Sequence, residues 1–123
     1  GLRKAEENSW PIYVAVDGGD IVGSAEAYPE SFCRDDGDSR IAILGMQVKL
    51  GHRRRGYGEA LLSAVIAHCK NLDFTAIDLS VVKSNEAARN LYRKAGFVWV
   101  ADAPKFFLPN GLEDQSEIMR LKL

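Results

Sequence analysis

The stretch of this chain best suited to chemistry is Arg53-Arg54-Arg55-Gly56-Tyr57-Gly58. It lies between an apolar run, residues 40–48 (RIAILGMQV), and a segment with helical patterning from about Gly58 to Asn71. A helix N-terminus presents N–H groups with no intrahelical partner and the positive end of the helix dipole, which suits it to anions. Glycine at 56 and 58 removes the Cβ atoms that would hold a diphosphate away from those amides. The three arginines add charge at the same point. On the glycines alone, a tight strand-to-helix connection beneath a basic surface patch is the other reading. No Gly-Lys-Ser/Thr follows, which excludes a nucleoside-triphosphate P-loop. Leu61 stands where a dinucleotide fingerprint needs its third glycine. The expectation is a diphosphate ligand of another kind.

Other reactive side chains are scattered. Asp35, Asp36 and Asp38 make an acidic loop that could draw a cationic substrate, although a solvated loop is the commoner meaning of such a cluster. His52 is expected to be a solvated loop residue, and His68 a packed histidine near a helix C-terminus. Cys33 and Cys69 lack the spacing of a zinc site or a disulfide framework, so free thiols and no metal are expected. Cys69, Trp10 and Trp99 read as packing residues.

The elements that must hold these residues follow from pattern. Residues 11–16 and 21–28 read as a hairpin joined at Asp17-Gly18-Gly19-Asp20. Residues 29–39 form a loop. Residues 40–48 are apolar enough for a strand covered on both faces. On the helix from about 58 to 71, Glu59, Ser63 and Lys70 share one narrow polar stripe and apolar residues take most of the rest, so the helix should be largely buried. Residues 74–82 form another strand. Ser84-Asn85-Glu86 supplies N-cap chemistry for a helix with Ala88, Leu91, Tyr92 and Ala95 on one stripe, ended by Gly96 with Phe97 folding back. Residues 97–101 and 116–123 are the last strands, separated by an irregular stretch containing Pro109-Asn110-Gly111. The order β-β-β-α-β-α-β-β predicts an α/β or α+β domain with a mixed sheet.

The 123 residues suit one domain, 1–123. A net charge of −1 gives no reason to expect nucleic acid or an anionic membrane surface as a partner. No apolar run approaches the ~20 residues of a membrane helix, and a cytosolic, soluble protein is the expectation.

At this point the sequence resembles the GNAT superfamily of N-acetyltransferases. Val48 followed by Arg53-x-x-Gly56-x-Gly58 is similar to the family's acyl-CoA loop. Leu79-x-Val81, then Asn85-x-x-Ala88-x-x-Leu91-Tyr92-x-Lys94-x-Gly96-Phe97, is similar to a second family motif downstream. The resemblance covers roughly residues 11–123. It implies a mixed sheet in which two central parallel strands, ending near Val48 and Val81, splay apart to admit the pantetheine arm of acetyl-CoA. It implies that main-chain groups of Met46, Gln47 and Val48 hold that arm, with the Val48 N–H as oxyanion donor. It places the diphosphate on Arg53, Arg54, Arg55, Gly56, Tyr57 and Gly58, and sets Asn85 and Ala88 near the cofactor.

The same resemblance implies transfer of acetyl to a primary amine by direct attack in a ternary complex, with Tyr92 giving a proton to the departing thiolate and no metal required. Tyr92 also fits a core aromatic with a satisfied hydroxyl. Residues 40–48 carry no carboxylate where relatives often have a base. Glu26 and Asp78 on flanking strands are the substitutes, and a relay of waters is the other reading. Only about ten residues precede Pro11, where the family usually has a strand and one or two helices walling the acceptor cleft. A shortened member, a fragment or an assembly completed by another subunit, a homodimer among them, is therefore expected. A non-catalytic acyl-CoA-binding sensor or scaffold is the alternative function.

Overall fold

The antiparallel ladder that organises the first half of the chain begins at a tight turn. Gly18 and Gly19 have φ of +59° and +86°, the paired left-handed conformation of a two-residue hairpin loop. They join β2 (Ile12–Asp17) to β3 (Asp20–Pro29) with Asp17 opposite Asp20. The computed structural model describes residues 2–4, 10–49, 51–52 and 56–123. It divides into two compact units, Gly1–Ile77 with Leu123, and Asp78–Lys122.

In the first unit a short strand β1 (Leu2–Lys4), which the sequence patterns did not reveal, pairs antiparallel with β2. β4 (Ile41–Val48) pairs antiparallel with β3, so the four strands run in the order β1-β2-β3-β4. The loop before β4 contains one 3-10 turn, Glu30–Phe32. Trp10 packs edge-on against Phe32, with ring centroids 4.3 Å apart, as the packing role expected of it requires.

Helix α1 (Tyr57–Asn71) lies on one face of this sheet. Its buried residues are Leu61, Leu62, Val65 and Cys69, spaced one and two turns apart. They meet strand positions occupied by small residues, Ala15, Ala25, Ala27 and Ala42, all within 1% of complete burial. At Gly23 the approach is closest. A Cβ there would stand 3.2 Å from both the Gln47 carbonyl oxygen and Leu61 Cδ1. Ala60, Ser63, Ala67 and Lys70 are exposed, so α1 buries one stripe and is not the largely buried helix that its composition suggested. β4 differs similarly. Ala42 and Leu44 are buried while Ile41, Ile43 and Gly45 are half-buried and Gln47 exposed, an alternation of faces where double-sided cover was expected. Asp73, at φ +63°, closes α1: its N–H donates to the Lys70 carbonyl and the Phe74 N–H to the Cys69 carbonyl. Aspartate tolerates this left-handed cap position without being glycine.

The second unit carries β5 (Ala76–Val82, whose first two residues belong to the first unit), α2 (Glu86–Ala95), β6 (Val98–Asp102), a hairpin of β7 (Phe106–Phe107) and β8 (Glu113–Asp114), and β9 (Ser116–Lys122). The strand order is β5-β9-β6, with β6 and β9 antiparallel. The small hairpin occupies the stretch expected to be irregular. Gly96 ends α2 at φ +106°, with the Gly96 N–H donating to the Arg93 carbonyl and the Phe97 N–H to the Tyr92 carbonyl. This is the cap read from the sequence.

Two expected outcomes follow from this packing. Gly96→Ala would force a side chain into a left-handed position with its Cβ 3.2 Å from Leu121 Cδ1. It should lower stability by about 1–3 kcal/mol in urea denaturation. Cys33 is exposed, whereas burial pushes the Cys69 thiol up to about 12. Iodoacetamide should therefore alkylate Cys33 in the folded protein and reach Cys69 only on unfolding, as read by mass spectrometry.

Candidate active site

The β3–β4 register decides which way the main chain of β4 faces. The Lys49 N–H donates to the Val22 carbonyl at 2.7 Å, continuing the pairs Gly23–Val48, Ser24–Gln47 and Ala25–Met46. In an antiparallel ladder, alternate residues bond toward opposite sides of the strand. Lys49, Gln47 and Gly45 therefore direct their N–H and C=O groups at β3, and Met46 and Val48 direct theirs to the other side. Cofactor contacts are expected from Met46, Gln47 and Val48; of the three, Gln47 turns its main chain to Ser24 on β3 and not to the cofactor side. Beyond them the chain turns, with the His52 N–H bonded to the Lys49 carbonyl at 3.0 Å and Gly51 at φ +91°.

Arg53, Arg54 and Arg55 lie outside the described residues. Gly56 is the N-cap of α1 at φ +80°, and as a glycine it brings no side chain of its own to the first turn. Among the described residues a Cβ at Gly56 would meet nothing within 4 Å. Its carbonyl accepts the first helical bond, from the Ala60 N–H. Tyr57 and Gly58 form the half-buried first positions of the helix. A glycine-capped helix start suits the anionic diphosphate of coenzyme A.

His52 is not the solvated residue expected. Its side chain is only 28% exposed, its Nε2 lies 3.9 Å from an Asp17 carboxylate oxygen, and its buried Nδ1 has no hydrogen-bond partner among the described residues. His68 is packed as expected, its Nδ1 3.1 Å from the Tyr13 hydroxyl. The acidic loop is largely spent on itself. Arg34 donates to both carboxylate oxygens of Asp36 at 3.1 and 3.2 Å, and the Arg40 guanidinium pairs with Asp38 at 3.2 and 3.3 Å. Both carboxyls are held below the usual range by those guanidiniums.

In the second unit the Asn85 Oδ1 accepts the Ala88 N–H at 3.2 Å, so the two residues expected near a cofactor are joined as cap and capped amide. The Asn85 amide nitrogen and the Ala88 methyl are what they can offer a ligand. Tyr92 is buried, with its ring edge-on to Phe97 at a centroid distance of 5.8 Å. Among the described residues its hydroxyl has no hydrogen-bond partner in the protein. Burial pushes that phenol above its ordinary value, so it stays protonated.

Asp78 is paired within its own unit. Arg120 grips both its oxygens, at 2.6 and 2.9 Å, and the aspartate is 7% exposed. Sequence reasoning missed this pair and the parallel one, Arg89 to Glu117 at 2.9 Å, with Arg89 also donating to the Lys83 carbonyl. Trp99 is 57% exposed and not a packing residue; its indole N–H donates to Asp102 at 2.8 Å. That bond, with the Lys83 ammonium beside it, holds the Asp102 carboxyl low. A cleft lined by Lys83, Lys105, Glu113, Asp114 and Gln115 lies beside the β7–β8 hairpin. Among the described residues no group of three histidine, cysteine or acidic side chains could hold a metal ion, and no helix is long and apolar enough to cross a membrane.

Known proteins are similar to this chain in sequence and fold. Mycothiol acetyltransferase of Propionibacterium freudenreichii is 38% identical over 63 residues, which is 51% of this chain and 20% of that protein. The chain thus spans about a fifth of the length of that curated relative. A GCN5-related N-acetyltransferase from Kribbella flavida superposes with a TM-score of 0.83 at 28% identity, covering 97% of this chain and 71% of that one. The Salmonella typhimurium protein yncA, solved with its cofactor acetyl-CoA, gives 0.82 at 23% identity over 93% of this chain and 65% of its own, a likeness of fold. The acetyltransferase (GNAT) family pattern matches residues 2–97, and with the glycine-capped helix start and the Asn85–Phe97 motif in place, the chain belongs to the GNAT family of acetyltransferases.

Proposed function

We propose that this protein transfers the acetyl group of acetyl-CoA to a primary amine by direct attack in a ternary complex. The observation that carries this reading is the start of α1, where left-handed Gly56 is the N-cap and follows, in sequence, a run of three arginines. Acetyl-CoA, when bound, supplies an activated thioester carbonyl. In this reading the main-chain N–H groups of residues 53–58 receive its diphosphate, and Arg53, Arg54 and Arg55 add charge. Met46 and Val48, whose main chains face away from β3, hold the pantetheine arm as an added strand would be held, and the Val48 N–H faces the developing oxyanion. Asn85 and Ala88 line the cofactor. Tyr92 gives its proton to the departing thiolate, a role suited to a phenol that burial keeps protonated.

Calorimetric titration with CoA tests the reading directly. Binding should stabilise the fold by about 2.7 kcal/mol at a hundredfold excess over Kd, seen as a raised Tm. Binding without thiol release from any amine would favour the non-catalytic acyl-CoA module. Absence of binding would end both. Gly56→Val places a β-branched side chain at φ +80°, and should weaken CoA binding by about tenfold or more in the same titration.

Tyr92→Phe should keep the Phe97 contact and the CoA affinity while lowering kcat about 10²-fold. The sign of the pH effect follows from the direction of the shift. A donor works below its pKa, and raising that pKa above the ordinary value of about 10 extends the protonated range upward. The rate should therefore show no loss from this group between about pH 7 and 9, measured as thiol release.

A further inference from the structure

From the β3–β4 ladder we infer that Glu26 is the general base that deprotonates the acceptor amine, an inference that rests on the acetyl-transfer reading above. The register places Glu26 directly opposite Gly45 as a hydrogen-bonded pair, so both side chains project on one face. That face is the one away from α1, because Gly23 and Tyr13, which touch Leu61 and His68 of the helix, sit on the opposite side of their strands. Gly45 brings no side chain of its own. The Glu26 carboxylate leans into that space, its Oε1 3.5 Å and its Cγ 3.6 Å from where a Gly45 Cβ would be. A carboxylate thus lies over β4 at the residue before Met46, although β4 itself contains none.

The surroundings suit a proton acceptor. Glu26 is exposed, and its neighbours on the same face are Ser24 and Tyr28 on its own strand, Ile12 and Val14 on β2, and Ile43 and Gln47 on β4. Tyr28 is the titratable group among them, and its phenol is pushed up by burial first, then by the charges of Cys33 and Glu26. No arginine or lysine among the described residues faces Glu26 from β2 or β4. The rival carboxylate, Asp78, has both oxygens held by Arg120.

The step balances as follows. The acceptor arrives as R–NH3+ and gives one proton to Glu26, directly or through one water. The freed nitrogen lone pair forms the C–N bond to the thioester carbon, the C–S bond breaks, and the second proton lost from nitrogen replaces the one taken up by the leaving sulfur. Glu26 then releases its proton to solvent.

The test compares wild type, Glu26→Gln and Glu26→Asp by CoA calorimetry, by Tm, and by thiol release from acetyl-CoA with spermidine, kanamycin, an alanyl peptide or water alone as acceptor. Glu26→Gln should lower kcat about 10²-fold on every acceptor the wild type uses, with CoA Kd and Tm unchanged. Glu26→Asp should recover part of the loss. If the wild type binds CoA and releases thiol while Glu26→Gln stays within threefold of it, the base is not Glu26 and the acetyl-transfer reading survives. If the wild type binds CoA but releases no thiol with any of the four, the base role is overturned. If the wild type does not bind CoA, the acetyl-transfer reading and the base role both go.

Discussion

The register between β3 and β4 is the constraint on which the first unit depends. It is set by the small residues that let α1 settle on one face of these strands, while the two-glycine turn fixes the neighbouring β2–β3 register. The period of a strand is two, so a slip of one residue would reverse every orientation at once. Met46 and Val48 would turn their main chain toward β3, and Glu26 would lose its place opposite Gly45. Gly23 works against that slip, since a Cβ there would press to 3.2 Å on Leu61 Cδ1 and the Gln47 carbonyl oxygen.

In the second unit positioning comes from charge as well as packing. Arg89 ties α2 to Glu117 on β9 and to the carbonyl of Lys83 just ahead of the helix. Arg120 of β9 holds Asp78 of β5 in a two-point grip. Both acids are nearly buried, where an unpaired carboxylate would be costly, so each arginine is required by its partner. These bonds fix how α2 meets its strands. The Asn85 cap and the Gly96 close then fix where the helix starts and stops, which sets the rotation of Tyr92 about its axis.

What could be read from the sequence was what local chemistry dictates. Asn85 as cap, Gly96 as terminator, the Asp17–Asp20 turn and the glycines before α1 each depend on neighbours within a few residues, so the motif and the structure agree there. The misreadings concern partners far along the chain or choices that composition leaves open. Asp78 and Arg120 are 42 residues apart, and nothing near either one marks the pairing. Trp99 carries an apolar label, yet its indole N–H found a carboxylate three residues away and the ring stayed outside. The acidic loop was legible as three aspartates but not as two closed pairs, because Arg34 and Arg40 had to curl back from positions two residues away. The apolar run of β4 suggested cover on both faces, and apolar type alone could not say that one face would be only half-covered. β1, β7 and β8 are too short for any period to show.

β6 pairs with β9 on one side, and it exposes Val98, Trp99 and Val100 at 60%, 57% and 41%. A flat apolar border of this kind is a template on which other chains can stack. Here the register with β9 shifts between Trp99 and Ala101, leaving Val100 as an extra residue in the middle of the strand. Such a bulge bends the strand and interrupts its row of donors and acceptors. A foreign strand laid along β6 would keep step for two residues and then lose it, so the misfit at Val100 serves as a guard against fibre-like growth at a border too greasy to be left regular.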